Sequence, residues 1–342
     1  MTFRPILSPR ALKEKYPLTE VGSESIASSR DTIRDIIRGR DSHLLVIVGP
    51  CSIHDRKSAL EYARWLRDMR VKYHDTLYIV MRAYFEKPRT TVGWKWLTND
   101  PHLDGTHDIV SGLELARSLL LDITALGLPV ATEFLDILSH EYFSDLVSWG
   151  AIGARTTESQ SHREMASGLG MPIWLKNATN GSLQIALDAM MSASRGHTFL
   201  SINTDGHAAI RETTGNKDTH IILRGGSNSP NYQYDAVMSA SALLEKSGYQ
   251  KYLMVDMSHA NSQKNHMNQL VVASDIASQL ARGDSPIIGV MIESHLVAWA
   301  QKYTPWVDRS DALIYGQSIT DACIGLDGTE EIFEMLSSAV RG

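Results

Sequence analysis

The chain has 342 residues, 43% hydrophobic and 21% charged, which is ample for one large core or two small ones. A net charge of −6 excludes a general nucleic-acid binder, because affinity for a phosphate backbone needs a basic surface. Only two cysteines, Cys51 and Cys323, exclude a disulfide scaffold and make a reducing cytoplasmic setting the expectation. Residues 1–20 carry no basic segment followed by an apolar one, so no signal peptide is read there. The longest apolar runs are too short to span a bilayer, so no membrane partner is expected.

Residues 1–40 read as an N-terminal extension. From residue 41 onward, short apolar runs alternate with stretches of helical spacing. In order they are 44–49 (LLVIVG), 78–82 (YIVMR), 130–133 (VATE), 151–155 (AIGAR) and 173–176 (IWLK). They continue with 198–202 (TFLSI), 220–224 (HIILR), 252–259 (YLMVDMSH) and 287–293 (IIGVMIE). Continuous apolarity marks strands buried on both faces, as in parallel sheets. Segments 57–72, 112–126 and 236–247 place apolar residues at helical spacing.

Such alternation predicts a doubly wound sheet or a closed barrel. The absence of a GxGxxG after the first run weakens the dinucleotide-binding alternative. The runs number one more than a barrel needs, and Thr204-Asp205-Gly206 is a turn signal. Residues 198–213 are therefore expected to form an inserted hairpin. The fold predicted for residues 41–342 is a (β/α)₈ TIM barrel.

In a barrel the site is assembled at the carboxyl ends of the strands. Those ends carry Cys51, Arg82, Glu133, Arg155, Lys176, Arg224, His259 and Glu293. Strand ends that merely reach solvent explain any one of them, but not the whole set. Cys51, His259, Glu293 and, further on, Asp321 offer sulfur, nitrogen and oxygen, a mixture that suits a divalent transition metal. The plainer alternatives are a small buried hydrophobe at Cys51 and a hydrogen-bonded core histidine at His259. Arg82, Lys87, Arg89, Arg155, Lys176 and Arg224 are cations whose convergence requires substrates with several negative charges. The loop Lys87-Pro88-Arg89-Thr90-Thr91 looks like a phosphate clamp, although alone it reads better as a solvated loop.

Longer blocks are more specific. Residues 48–54 (VGPCSIH), 86–95 (EKPRTTVGWK), 150–160 (GAIGARTTESQ), 220–226 (HIILRGG) and 318–325 (SITDACIG) resemble the class I (type Iα) 3-deoxy-D-arabino-heptulosonate 7-phosphate (DAHP) synthases. The resemblance runs from about Pro17 to Val340. It implies condensation of phosphoenolpyruvate with erythrose 4-phosphate, and one divalent metal (Mn²⁺, Fe²⁺, Co²⁺ or Zn²⁺) on Cys51, His259, Glu293 and Asp321. Phosphoenolpyruvate is expected on Arg82, Lys87, Arg155, Lys176 and Arg224, and the aldose phosphate on Arg89, Thr90 and Asp321. Lys87 and Glu133 are the candidates for proton transfer, with Cys51 and His259 acting through the metal. A homodimer or homotetramer is implied on the same ground.

Departures from the family pattern fall at Trp96, where glycine is usual, and in the segment 173–181, which brings in Trp174 and Asn180. Leu326 replaces the usual tryptophan. These keep open the same chemistry on another aldose phosphate. The family's pocket for an aromatic amino acid effector would involve His140, Gly170, Phe199 and Ser201. His140 replaces a usual proline and Gly170 a usual serine, so weakened or retuned feedback inhibition is expected. Rival readings are a Schiff-base aldolase with Lys176 as nucleophile, and a non-catalytic sugar-phosphate-binding paralogue.

Overall fold

The computed structural model describes residues 2–86, 93–227, 229–304, 308 and 310–342. Two helices come first, α1 (Pro9–Lys15) and α2 (Glu20–Ile37). Both begin on hydroxyl caps: Ser8 accepts from the Ala11 amide and Thr19 from the Gly22 amide.

The strands are β1 (Leu44–Gly49), β2 (Leu77–Arg82), β3 (Val130–Glu133), β4 (Trp149–Ile152), β5 (Ile173–Lys176), β6 (Thr198–Ile202), β7 (Ala208–Glu212), β8 (Thr219–Leu223), β9 (Leu253–Asp256) and β10 (Ile287–Glu293). Eight of them close into a barrel in the order β1-β10-β9-β8-β5-β4-β3-β2. Every barrel pairing is parallel. Strands β6 and β7 form the separate antiparallel hairpin, with Phe199 opposite Arg211 and Ser201 opposite Ala209. A short parallel pair, β11 (Val297–Ala300) and β12 (Gln317–Ser318), lies beyond β10 and was not legible in the sequence.

Between and after the strands run α3 (Arg56–Lys72), α4 (Ile109–Ala125), α5 (His140–Phe143), α6 (Gln160–Gly168), α7 (Gln184–Ala193), α8 (Tyr234–Lys246), α9 (Asn268–Leu280) and α10 (Leu326–Arg341). Two apolar layers result. One lies between strands and helices. The other fills the barrel with Leu45, Ile47, Val80, Ala131, Trp149, Ala151, Trp174, Ile222, Met254 and Met291. Ile33, Ile36 and Ile37 of α2 pack on this inner layer, so the N-terminal extension stoppers the end of the barrel where the strands begin. No described helix is long and apolar enough to cross a membrane.

Candidate active site

Side chains alternate in and out along a strand with period two. On six strands the inward apolar residue is followed, two positions later, by a charged one: Val80 by Arg82, Ala131 by Glu133, Trp174 by Lys176, Ile222 by Arg224, Met254 by Asp256 and Met291 by Glu293. The charged residues therefore form the uppermost layer of the barrel interior. All are buried except Arg224, which is partly so. They open on a cavity of about 300 Å³ lined by Glu133, Arg155, Lys176, Arg224, His259, Glu293 and Asp321, with Trp96 on its wall.

Glu293 is held on all sides. Arg82 Nη2 donates to its Oε1 at 3.0 Å and Ser258 Oγ to its Oε2 at 2.8 Å. The Gln269 side chain brackets its backbone, donating to the carbonyl and accepting from the amide, each at 2.9 Å. Arg82 also donates to the Pro50 carbonyl and covers the face of Tyr84. Charges this buried survive only when paired and hydrogen-bonded.

Cys51, Glu293 and Asp321 bring one ligand atom each to within 4.8 Å of one another. His259 is not in that tight group, but its Nε2 comes to 3.9 Å from Glu293 Oε1. Its backbone is left-handed, φ 53°, a conformation a non-glycine residue adopts only where its surroundings impose it. A bond between Ser52 and Thr320 hydroxyls at 2.8 Å ties the Cys51 loop to the Asp321 loop. A sulfur and two carboxylates gathered together, with an imidazole beside them, are a donor set that fits a divalent transition metal better than Mg²⁺ or Ca²⁺. Cys323 is a neighbour of another kind: its sulfur accepts from the Cys51 amide at 3.3 Å, and burial pushes its thiol pKa up, keeping it protonated.

The cations stand opposite. Lys176 Nζ lies 3.4 Å from Asp256 Oδ2 and 4.7 Å from the ring centre of Trp174. Arg224 is placed by Asn177, whose Oδ1 accepts from the Arg224 amide at 2.8 Å. Burial pushes the Arg224 pKa down, Asp256 pulls it back and neighbouring Arg155 lowers it again. Glu133 lines the same space, and its buried Oε2 has no hydrogen-bond partner among the described residues. Gly153 is required here, since a Cβ would come within 2.2 Å of Glu133 Oε1.

Some sequence expectations shift. Arg155, Arg224 and His259 lie in the loops just past their strands rather than on them. Lys87, Arg89 and Thr90 lie outside the described residues. Trp96 does wall the cavity, whereas Trp174 is an inner-core residue stacked on Trp149, under Lys176 rather than beside a substrate. Asp256 and Lys264 were missed: Asp256 binds both Lys176 and His259, and Lys264 lines the cavity. The signal for Asp256 was available, because it follows inward Met254 by two positions.

The expected effector positions lie on α5, on the hairpin and in the loop after α6. His140 Nε2 lies 3.0 Å from Arg211 Nη1, and Arg211 faces Phe199 across the hairpin. Ser201 is buried two residues further along that strand. Gly170 meets α2, its carbonyl accepting from Arg34 at 2.9 Å.

Comparison with known proteins agrees with this architecture. A family model described as the DAHP synthetase I family matches residues 18–334. The chain is 52% identical over 335 residues to a phospho-2-dehydro-3-deoxyheptonate aldolase of Haemophilus influenzae, covering 98% of this chain and 91% of that protein. It is 51% identical over 336 residues to the Phe-sensitive enzyme of that name from Escherichia coli strain K12, covering 98% and 95%. The structure of the phospho-2-dehydro-3-deoxyheptonate aldolase from Francisella tularensis SCHU S4 matches with a TM-score of 0.95 at 47% identity, covering 99% of this chain and 98% of that one. Matched over nearly its whole length and half identical to such relatives, this chain belongs to the DAHP synthetase I family.

Proposed function

We propose that this chain is a DAHP synthase, condensing phosphoenolpyruvate with D-erythrose 4-phosphate and water to give DAHP and inorganic phosphate, the first step of the shikimate pathway. The observation that carries the proposal is the shared cavity, where a Cys–His–Glu–Asp donor set faces Arg155, Lys176 and Arg224.

Phosphoenolpyruvate carries a carboxylate and a phosphate, and crowded cations need such an anion. Arg155, Lys176 and Arg224 are assigned to bind and orient it, with Lys87 completing the set. Arg82, which donates to Glu293 and Pro50, is assigned to act by fixing the metal ligand. Arg89, Thr90 and Asp321 are assigned to the aldose phosphate. A divalent ion (Mn²⁺, Fe²⁺, Co²⁺ or Zn²⁺) held by Cys51, His259, Glu293 and Asp321 supplies Lewis acidity toward a carbonyl oxygen.

In the reaction C3 of phosphoenolpyruvate bonds to the aldehyde carbon, and water adds to C2. The C2–O bond to phosphate then breaks. Holding both anions in register lowers the entropic cost of the step, and fixed cations stabilise the departing phosphate. Glu133, with a buried oxygen lacking a hydrogen-bond partner among the described residues, is assigned to orient the water and hold its proton. The Schiff-base alternative fits less well, because it leaves the Cys51, Glu293 and Asp321 cluster without a role.

The test is phosphate release from phosphoenolpyruvate after EDTA treatment, with and without erythrose 4-phosphate, and again with Mn²⁺. Release needing both aldose and metal supports the reading. Release with a different aldose phosphate moves the acceptor, and none with any acceptor rejects catalysis. An aromatic amino acid effector at the hairpin is a second element of the proposal, supported by the name of the Phe-sensitive relative. A homodimer or homotetramer is carried over by resemblance, and sedimentation decides between them.

A further inference from the structure

Where the barrel strands end at the cavity, main-chain pairing runs out and side chains take it over. Strands β5 and β8 stop at Lys176 and Leu223, and β9 stops at Asp256. Arg224, one of the cations lining the cavity, therefore sits one residue beyond regular pairing. A cation on loose main chain binds an anion poorly, because its position has to be fixed at the moment of binding.

Three asparagine side chains fix that segment. Asn177, 0% exposed and next to Lys176, accepts from the Arg224 amide through Oδ1 at 2.8 Å. Its Nδ2 donates to the Gly225 carbonyl at 3.1 Å and to the Ala178 carbonyl at 2.9 Å. Asn231 Oδ1 accepts from the Gly225 amide at 2.7 Å, and its Nδ2 approaches Asn177 Oδ1 at 3.5 Å. Asn261, buried two residues past His259, donates from Nδ2 to the Leu223 carbonyl at 3.1 Å and to the Asp256 carbonyl at 2.8 Å. Its Oδ1 accepts from the Asn231 amide at 2.8 Å, which joins the three loops.

The residue type follows from the geometry. A carboxamide donates and accepts from one planar group, whereas a carboxylate of the same shape only accepts. Asn177 and Asn261 each use both ends, and their partners are main-chain amides and carbonyls whose roles are fixed. Gly225 adds a close approach: its φ is 77°, and a Cβ there would come within 2.8 Å of Ala260 Cβ and 2.9 Å of the Asn261 nitrogen. The Arg224 segment is thus pressed against the loop that carries His259 and bonded to the residue that follows Lys176. None of the three asparagines lines the cavity itself, so each acts through the main chain of Arg224.

We propose that Asn177, Asn231 and Asn261 are positioning residues for the substrate anion. They set where Arg224 stands relative to Lys176, and so how tightly phosphoenolpyruvate is held. The inference rests on the assignment of phosphoenolpyruvate to these cations.

The test measures phosphoenolpyruvate binding to the Mn²⁺-loaded full chain by calorimetry, without aldose so that no turnover occurs. A Mn²⁺ titration, KM and kcat for phosphate release, and urea denaturation run in parallel on Asn231→Ala and Asn177→Ala. Asn231→Ala should bind phosphoenolpyruvate about fivefold more weakly, and Asn177→Ala more weakly still, the scale of one and two hydrogen bonds. KM should rise with Kd, while kcat and Mn²⁺ affinity of Asn231→Ala stay at the wild-type values. Unchanged phosphoenolpyruvate affinity with a lowered urea midpoint would show braces of the fold alone and overturn the inference. Equal losses of phosphoenolpyruvate and Mn²⁺ affinity in Asn231→Ala would show general loosening of the mouth and overturn it too. If the buried Asn177→Ala does not fold, Asn231→Ala, at a half-buried position, decides alone. A wild type that does not bind phosphoenolpyruvate would instead overturn the assignment of the cavity, and this inference with it.

Discussion

His259 Nδ1 stands 2.8 Å from Asp256 Oδ2, and Lys176 Nζ stands 3.4 Å from the same oxygen. One buried carboxylate thus orients both a proposed metal ligand and a proposed phosphoenolpyruvate ligand. Burial alone would raise its pKa, but His259 and Lys176 carry it down to about 2, so it stays ionised. Partners of this kind set the tautomer and direction of a ligating histidine, and losing one typically costs about 10–100-fold in metal affinity or activity. Asp256→Asn should weaken Mn²⁺ binding on that scale, with excess Mn²⁺ restoring part of the phosphate release. Unchanged affinity in a Mn²⁺ titration would show that Asp256 has no positioning role.

Arg82 and Glu293 form the most deeply buried ion pair among the described residues, with side chains 0% and 1% exposed. Removing one partner strands the other charge, at a cost of about 3–5 kcal/mol. Glu293→Leu should lower the unfolding free energy from urea denaturation by that order, and Arg82→Met/Glu293→Leu should be less destabilised than the single variant. If the double variant is worse than the single one by the full cost of a second loss, the charges are not coupled.

Trp96 is held at φ 77°, stacked on Trp94 with ring centres 5.7 Å apart, and it walls the substrate cavity. Relieving such backbone strain returns about 1–3 kcal/mol, whereas deleting a buried tryptophan costs about 3–5. Trp96→Gly should therefore be less stable on balance, yet accept longer aldose phosphates. The readout is the ratio of kcat/KM for ribose 5-phosphate and erythrose 4-phosphate. A ratio that does not rise removes Trp96 from acceptor selection.

The His220 imidazole, carried by burial from 6.5 down to about 4, gives stability a pH dependence. Between those values the unfolded chain binds a proton that the folded chain refuses. The stability linked to this group is present above pH 6.5 and lost as pH falls through 4, about 3 kcal/mol in all. His295, buried and pushed down to about 3, acts in the same direction. Urea midpoints measured from pH 8 to 4.5 should fall less steeply for His220→Gln, whose amide oxygen can still accept from Trp149. Parallel curves for variant and wild type would contradict the linkage.

Around the hairpin, His140 is engaged by both Arg211 and Glu141, the latter at 3.1 Å. The family usually has proline at this position, and the tied imidazole is a change in the expected effector pocket. Titrating phenylalanine, tyrosine and tryptophan into the phosphate-release assay should give weak inhibition. Strong inhibition by any one of them at micromolar concentration would reject this.

Much of the site was legible because its signal is local. Buried parallel strands write continuous apolar runs, and the last inward residue of each announces itself by charge, as with Arg82, Glu133, Lys176 and Glu293. Arg155 was read as a strand residue because AIGAR looks continuous, but β4 stops at Ile152 and Gly153 opens the turn demanded by Glu133. Trp174 was read as pocket bulk because it neighbours Lys176 in sequence, and period two sends it into the inner layer instead.

By itself the sequence determined the alternation of strands and helices, the inserted hairpin, the charged strand ends and the donor types suited to a transition metal. These follow from local periodicity and residue chemistry. Only the tertiary structure decided that Asp256 joins Lys176 to His259, that α2 stoppers the barrel, and that asparagine side chains from three loops hold the Arg224 segment. Barrel closure makes neighbours of residues far apart in the chain, and no local pattern carries that information.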